Sequence, residues 1–172
     1  GITFLFFDGS LLNNTSTTEK DAFLRIKAKA EQDFNKSWLG AFIDFEENDR
    51  QDKTTQEFID TSHRYKEQEA YFGLGDSTKV FAKAGFNYRN NDSIRSNRFT
   101  EINNRKTFYI NSKLIQNKAT NLAVYANYRI TENAFTTNER SLNSRLIYNQ
   151  RLLNNFITLG TVYETASGNV AR

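Results

Sequence analysis

Ser62 and His63 stand side by side, and His63 is the sole histidine of the chain. A serine next to an imidazole raises the question of a hydrolase in which the ring acts as general base for the hydroxyl. Adjacent residues on a strand point to opposite faces, however, and the pair sits at the end of a long polar run. The reading preferred on these grounds is a solvated loop histidine. Asp44, Glu46, Glu47, Asp49 and Asp52 offer carboxylate oxygens of the kind that bind Ca²⁺, but without the ordered spacing of a calcium loop, so a charged strand end is preferred. Gly73 and Gly75 flank Leu74 ahead of Asp76-Ser77. That stretch is too short for a phosphate-binding loop, no helix follows to receive an anion, and it reads as turn chemistry. With no cysteine there is neither a disulfide framework nor a thiolate metal site. No catalytic residue, metal or cofactor is expected.

The elements that must position these residues are strands. In Lys79–Arg89 the even positions Val80, Ala82, Ala84, Phe86 and Tyr88 are apolar, while Lys83, Asn87 and Arg89 are polar; a strand separates these sets onto two faces and a helix would mix them. The same alternation runs through Ala22–Phe34, Trp38–Glu46, Tyr65–Leu74, Thr107–Ile115, Asn121–Ile130, Ser141–Leu152 and Phe156–Thr165, with a less regular opening strand near Thr3–Leu12. About nine antiparallel strands result. Proline is absent, as suits strands that donate ladder hydrogen bonds along most of their length.

Connections alternate in length. Short turns are expected at Asn35–Ser37, Gly75–Thr78, Gln116–Thr120 and Asn154–Asn155, and longer polar loops at Asn13–Lys20, Asn48–Arg64, Asn90–Lys106 and Thr131–Arg140. Short turns at one end and long loops at the other are the pattern of an up-and-down transmembrane β-barrel, with the short turns periplasmic. No segment approaches the roughly 18 apolar residues of a membrane helix, and the first residues lack the basic region of a signal peptide. The mean hydropathy of −0.69 is compatible with a barrel, because alternating strands average to a polar value.

A barrel in lipid places aromatic rings near the two interfaces. Phe45, Phe86, Tyr88, Phe108, Tyr128 and Tyr163 fall at the long-loop ends of the apolar face, and Phe34, Phe72 and Tyr148 toward the short turns. Trp38 has the parity of the polar face. The lumen-facing set is Arg25, Lys27, Lys29, Glu31, Asp44, Glu46, Glu67, Glu69, Lys83, Arg89, Lys113, Arg129, Arg145 and Arg151. Its two signs are interspersed, and the net charge is only +3. That argues against a nucleic-acid partner and for cross-strand ion pairing in a wet interior. A soluble lipocalin-like barrel binding a hydrophobic ligand is the alternative that alternation leaves open; an outer-membrane hydrolase resting on Ser62 and His63 is another.

In its Asn- and Lys-rich strands, and in segments such as Leu142-Asn143-Ser144-Arg145 and Tyr163-Glu164-Thr165-Ala166-Ser167-Gly168, the chain resembles the large outer-membrane barrels of Bacteroidota-type bacteria. The resemblance is one of style over most of the chain and carries no functional residue across. It implies an envelope protein of a Gram-negative bacterium working with other envelope proteins in a complex for import, export or assembly; the two-faced strands and the loop asymmetry point to a non-enzymatic channel or membrane scaffold subunit in contact with lipid. Nine strands do not close a single-chain bacterial barrel, which uses an even number, so residues 1–172 are expected to be one segment of a larger barrel, incomplete at both ends.

Overall fold

A computed structural model describes residues 4–59, 61–76, 79–95, 97–117, 119–134, 136–152 and 155–169. They form a single sheet of nine antiparallel strands in sequence order: β1 Phe4–Thr15, β2 Glu19–Phe34, β3 Ser37–Asp52, β4 His63–Gly75, β5 Phe81–Arg95, β6 Arg98–Gln116, β7 Thr120–Asn133, β8 Asn138–Leu152 and β9 Asn155–Asn169. Each strand pairs with its sequence neighbours, and among the described residues β1 and β9 each pair on one side only, so the sheet is open and not a closed barrel.

The strands outrun the apolar alternation that marks them in the sequence. Asn13–Lys20 is not a long loop: β1 and β2 pair to Thr15↔Lys20, leaving a three-residue turn in which Ser16 Oγ accepts hydrogen bonds from the backbone N–H of Thr18 (3.2 Å) and Glu19 (2.9 Å). Most of Asn90–Lys106 is ladder up to Arg95↔Arg98, and Thr131–Arg140 narrows to residues 134–137. Asn48–Arg64 keeps a real loop, 53–62, closed by Asp52 Oδ1 accepting from the N–H groups of Thr54 and Thr55. Polar residues above the apolar stretch still satisfy their backbone groups best by pairing, and Asn, Asp and Ser then supply the local bonds that turn the chain.

At the other end, Asn35 takes the left-handed φ of 50° in the β2–β3 turn, and Gly75, at φ 95°, leads out of β4. Asn117 Oδ1 accepts from Ala119 and Thr120 to make the β6–β7 turn. Residues 77, 78, 118 and 154, which belong to three of the expected short turns, lie outside the described residues, as do Thr3 and Leu153.

Three glycines on one face are roofed by aromatic rings from the directly opposed residue. Trp38 lies over Gly73, Tyr71 over Gly40 and Tyr109 over Gly85, and a Cβ at any of these glycines would run into the ring. Trp38 and Tyr71 are among the few buried large side chains, at 7% and 5% exposure. The parity of Trp38 is thus regular, since Gly73 makes room for the ring on the polar face. Gly40→Val should displace Tyr71 and lower stability by about 1–3 kcal/mol, as overpacking does. Ala41→Val, on the exposed opposite face, should stay within about 0.5 kcal/mol. Denaturant unfolding of the two variants checks the difference.

Candidate functional site

Directly opposed residues of a ladder share a face, so the register decides what meets what. The chain of pairs Lys27↔Asp44↔Glu67↔Arg89↔Arg105 crosses five strands, flanked by Arg25↔Glu46↔Tyr65 and by Lys29↔Phe42↔Glu69↔Asn87. Glu31 joins through Gly40↔Tyr71↔Gly85↔Tyr109. Lys83, Lys113, Arg129, Arg145 and Arg151 have the same parity through Lys83↔Asn111, Lys113↔Ala123, Thr107↔Arg129 and Tyr125↔Arg145. Every residue of the polar set therefore falls on one face of the sheet. Phe34, Phe45, Phe72, Phe86, Tyr88, Phe108, Tyr128, Tyr148 and Tyr163 all fall on the other.

On the polar face, β2–β4 form a connected charge network. Asp44, 6% exposed, receives Lys27 Nζ at 3.1 Å and Arg25 at 3.4 Å, while Arg25 also reaches Glu46 at 3.6 Å. Two cations on one carboxylate offset much of its desolvation, and breaking a buried pair costs more than its net contribution. Next to it, Tyr71 and Tyr109 donate their hydroxyls to Glu31 and Glu69, and Lys83 bridges the two rings, with Nζ 3.6 Å from the centroid of Tyr71, 5.4 Å from that of Tyr109 and 3.5 Å from Glu69. Nearer the loops, Arg50 is held by Glu19 at 2.8 Å and Asp21 at 3.1 Å. These carboxylates hold the Arg50 guanidinium above its ordinary pKa.

Ser62 and His63 are not joined as nucleophile and base. Ser62 is 1% exposed; its Oγ donates to the carbonyl of Arg50 (2.9 Å) and accepts from the N–H of Arg50 (2.8 Å), pinning the loop to β3. His63 is the first residue of β4 and not a free loop residue: Nε2 meets Glu46 at 3.0 Å and Nδ1 the carbonyl of Thr61 at 3.2 Å. The acidic group divides between faces, with Asp44, Glu46 and Asp52 on the polar side and Glu47 and Asp49 on the other, where Arg64 pairs with both. Among the described residues no group of three or more potential ligands is arranged to hold a metal ion.

Sequence reasoning missed Arg105, which it placed inside the loop Asn90–Lys106. Continued odd-position polarity through Asn103, Arg105 and Thr107 is the signal that marks it as strand. It missed the polar-face role of Tyr65, Tyr71 and Tyr109 as well, because an aromatic ring at a polar parity looks like a break in the pattern unless the glycine opposite is noticed.

Comparison with protein-family models, with characterised proteins and with solved structures finds no match to this chain.

The contact with Glu46 raises the pKa of His63, against a smaller opposing effect of burial. A raised folded-state value means that the pair's contribution to stability is fully present below the unfolded histidine value of about 6.5 and is lost as pH rises through the folded value. With the ring 44% exposed, that contribution is small. A titration of the ring protons by NMR should give a midpoint above the ordinary histidine value, returning toward it in Glu46→Gln.

Proposed function

We propose that the chain is a non-enzymatic segment of an outer-membrane β-barrel of a Gram-negative bacterium, of the Bacteroidota type it resembles. In this reading the apolar face meets lipid, the polar face lines a wet lumen, and the barrel serves as a channel or as the membrane scaffold of an envelope transport or assembly complex.

The observation that carries the reading is the slant of the loop-side aromatic boundary from β3 to β9, which passes through Tyr88 on β5 and Tyr128 on β7. On β3 the boundary aromatic is Phe45, whose row runs Phe45↔Lys66↔Asn90 on β5. On β9 it is Tyr163, whose row runs back through Ser144, Ala126 and Ile110 to Ala84 on β5. Asn90 to Ala84 is six residues over the six strand steps from β3 to β9, or one residue per strand. At about 3.3 Å per residue and about 4.8 Å between strands, the boundary crosses the hydrogen-bonded rows at about 35°. Tilts of about 35–45° are what membrane barrels adopt, and a lipid interface is level with respect to the membrane and not to the ladder.

The height of the band agrees. On β7 the apolar-face residues run Leu122, Val124, Ala126, Tyr128 and Ile130, passing one apolar residue beyond the boundary ring of Tyr128; these eight residue steps measure about 26 Å along the strand, or about 22 Å along the normal at that tilt. The apolar band of a membrane barrel is about 25 Å tall. Leu39, Phe72, Phe108, Ile110, Leu146, Leu159 and Tyr163 are all exposed, an apolar surface far larger than scattered surface residues need. Open edges at β1 and β9 leave backbone groups that in hydrocarbon require pairing with further strands, which supports a segment of a larger barrel.

The purified chain should therefore require detergent or lipid, remain rich in β-structure there and migrate heat-modifiably; a monodisperse monomer in plain buffer that binds a hydrophobic ligand stoichiometrically would establish the soluble lipocalin-like reading in its place. Ala126→Arg, at mid-band, should cost about 2–4 kcal/mol of folding free energy in bilayers, whereas Asn127→Arg, one residue along on the polar face, should cost far less.

A further inference from the structure

We propose that Arg89, Arg105 and Arg129 form a binding site for a phosphate-class oxyanion on the polar face of β5–β7. The site goes beyond the membrane reading and holds whichever medium covers the opposite face.

Arg89 and Arg105 are directly opposed across β5 and β6, and Arg129 stands opposite Thr107, on the diagonal from Arg105. Like charges directly opposed on a sheet repel. All three side chains are partly buried, and the Nε–H of each is buried with no hydrogen-bond partner. The acidic residue directly opposed to the group is Glu67, across from Arg89, and its oxygens are already engaged by the Tyr65 hydroxyl and by Asn87 Nδ2 at 2.8 Å. Arg89 stacks on the Tyr65 ring at 4.9 Å. Among the described residues no carboxylate lies within ion-pair distance of any of the three guanidiniums.

This contrasts with β2–β4, where Arg25, Lys27 and Arg50 are all paired within the sheet. Orphaned buried donors and mutual repulsion are destabilising unless an acceptor arrives. A guanidinium presents a fork of donors suited to a planar pair of oxygens. Three forks together exceed what one carboxylate accepts and match the several oxygens and double charge of a phosphate group. The group's source is a phosphorylated solute or a phospholipid headgroup, and both carry the same chemistry.

The test is calorimetric titration with inorganic phosphate, with glycerol phosphate, and with bicelles containing phosphatidylglycerol, at constant ionic strength set by chloride. Thermal unfolding is followed in parallel. The wild-type chain should bind saturably and its midpoint should rise with ligand by linkage. Arg105→Gln and Arg129→Gln should weaken binding by about tenfold or more, yet start from a ligand-free midpoint at or above wild type because repulsion is relieved. Arg145→Gln, an exposed arginine of the same face opposite Tyr125, should leave binding unchanged. Saturation by the soluble phosphates identifies a solute and saturation by bicelles alone a headgroup; either supports the site. No saturable binding in any arm, equal weakening by Arg145→Gln, or undiminished binding in both triad variants would overturn it.

Discussion

The structure depends on one constraint, the unbroken antiparallel register that ties β1 to β9. Because side chains alternate with a period of two, a slip of one residue between any two strands would move charged residues onto the apolar face of every strand beyond it. Register is held in several ways at once. Turns at Asn35, Asn117 and Ser16 fix the hairpins locally. Gly40, Gly73 and Gly85 accept rings that fit only when directly opposed. Two bulges, between Asn91 and Asp92 and between Lys113 and Ile115, absorb irregularity without exchanging the faces of the strands on either side.

From that constraint the two faces acquire different physics. Charge is paired unevenly on the polar face: in β2–β4 Arg25 and Lys27 are ion-paired to Asp44, although Arg25 Nε and Asp44 Oδ1 lack hydrogen bonds, while among the described residues the arginines Arg89, Arg105 and Arg129 of β5–β7 have no carboxylate within ion-pair distance. On the other face Arg64 pairs with Glu47 and Asp49, and Lys106 with Glu132, toward the loops, and beneath them lies a band of aliphatic side chains with aromatic margins. Its loop-side margin, from Phe45 on β3 to Tyr163 on β9, runs obliquely to the ladder. On the membrane reading proposed above, that slant is what a fluid hydrocarbon layer, level with the membrane and not with the ladder, would impose.

Much of this was legible in the sequence because the signal is periodic. Each expected strand is present, and the assignment of side chains to faces follows from parity alone once the strands are in register. The strand ends were misread where polarity and pairing part company: Asn90–Lys106 looks like a loop by composition, yet Arg98–Lys106 is ladder because backbone groups pair regardless of what the side chains prefer. The roles of Ser62 and His63 were invisible for another reason. Each is set by a residue distant in sequence, Arg50 for one and Glu46 for the other, which only the β3–β4 register brings close. The convergence of Arg89, Arg105 and Arg129 likewise needs three strands in place.

The chain contains no cysteine, so single cysteines introduced along β7 report without background. Nitroxide labels at each position from Asn121 to Thr131, in the chain reconstituted into bilayers, should show oxygen and a water-soluble nickel chelate alternating in accessibility with a period of two. Oxygen should dominate at Leu122, Val124, Ala126, Tyr128 and Ile130, peaking near the middle of the band, and the chelate at Ala123, Tyr125, Asn127 and Arg129. Uniform chelate access at the even positions, with no dependence on depth, would contradict the placement of this face in lipid.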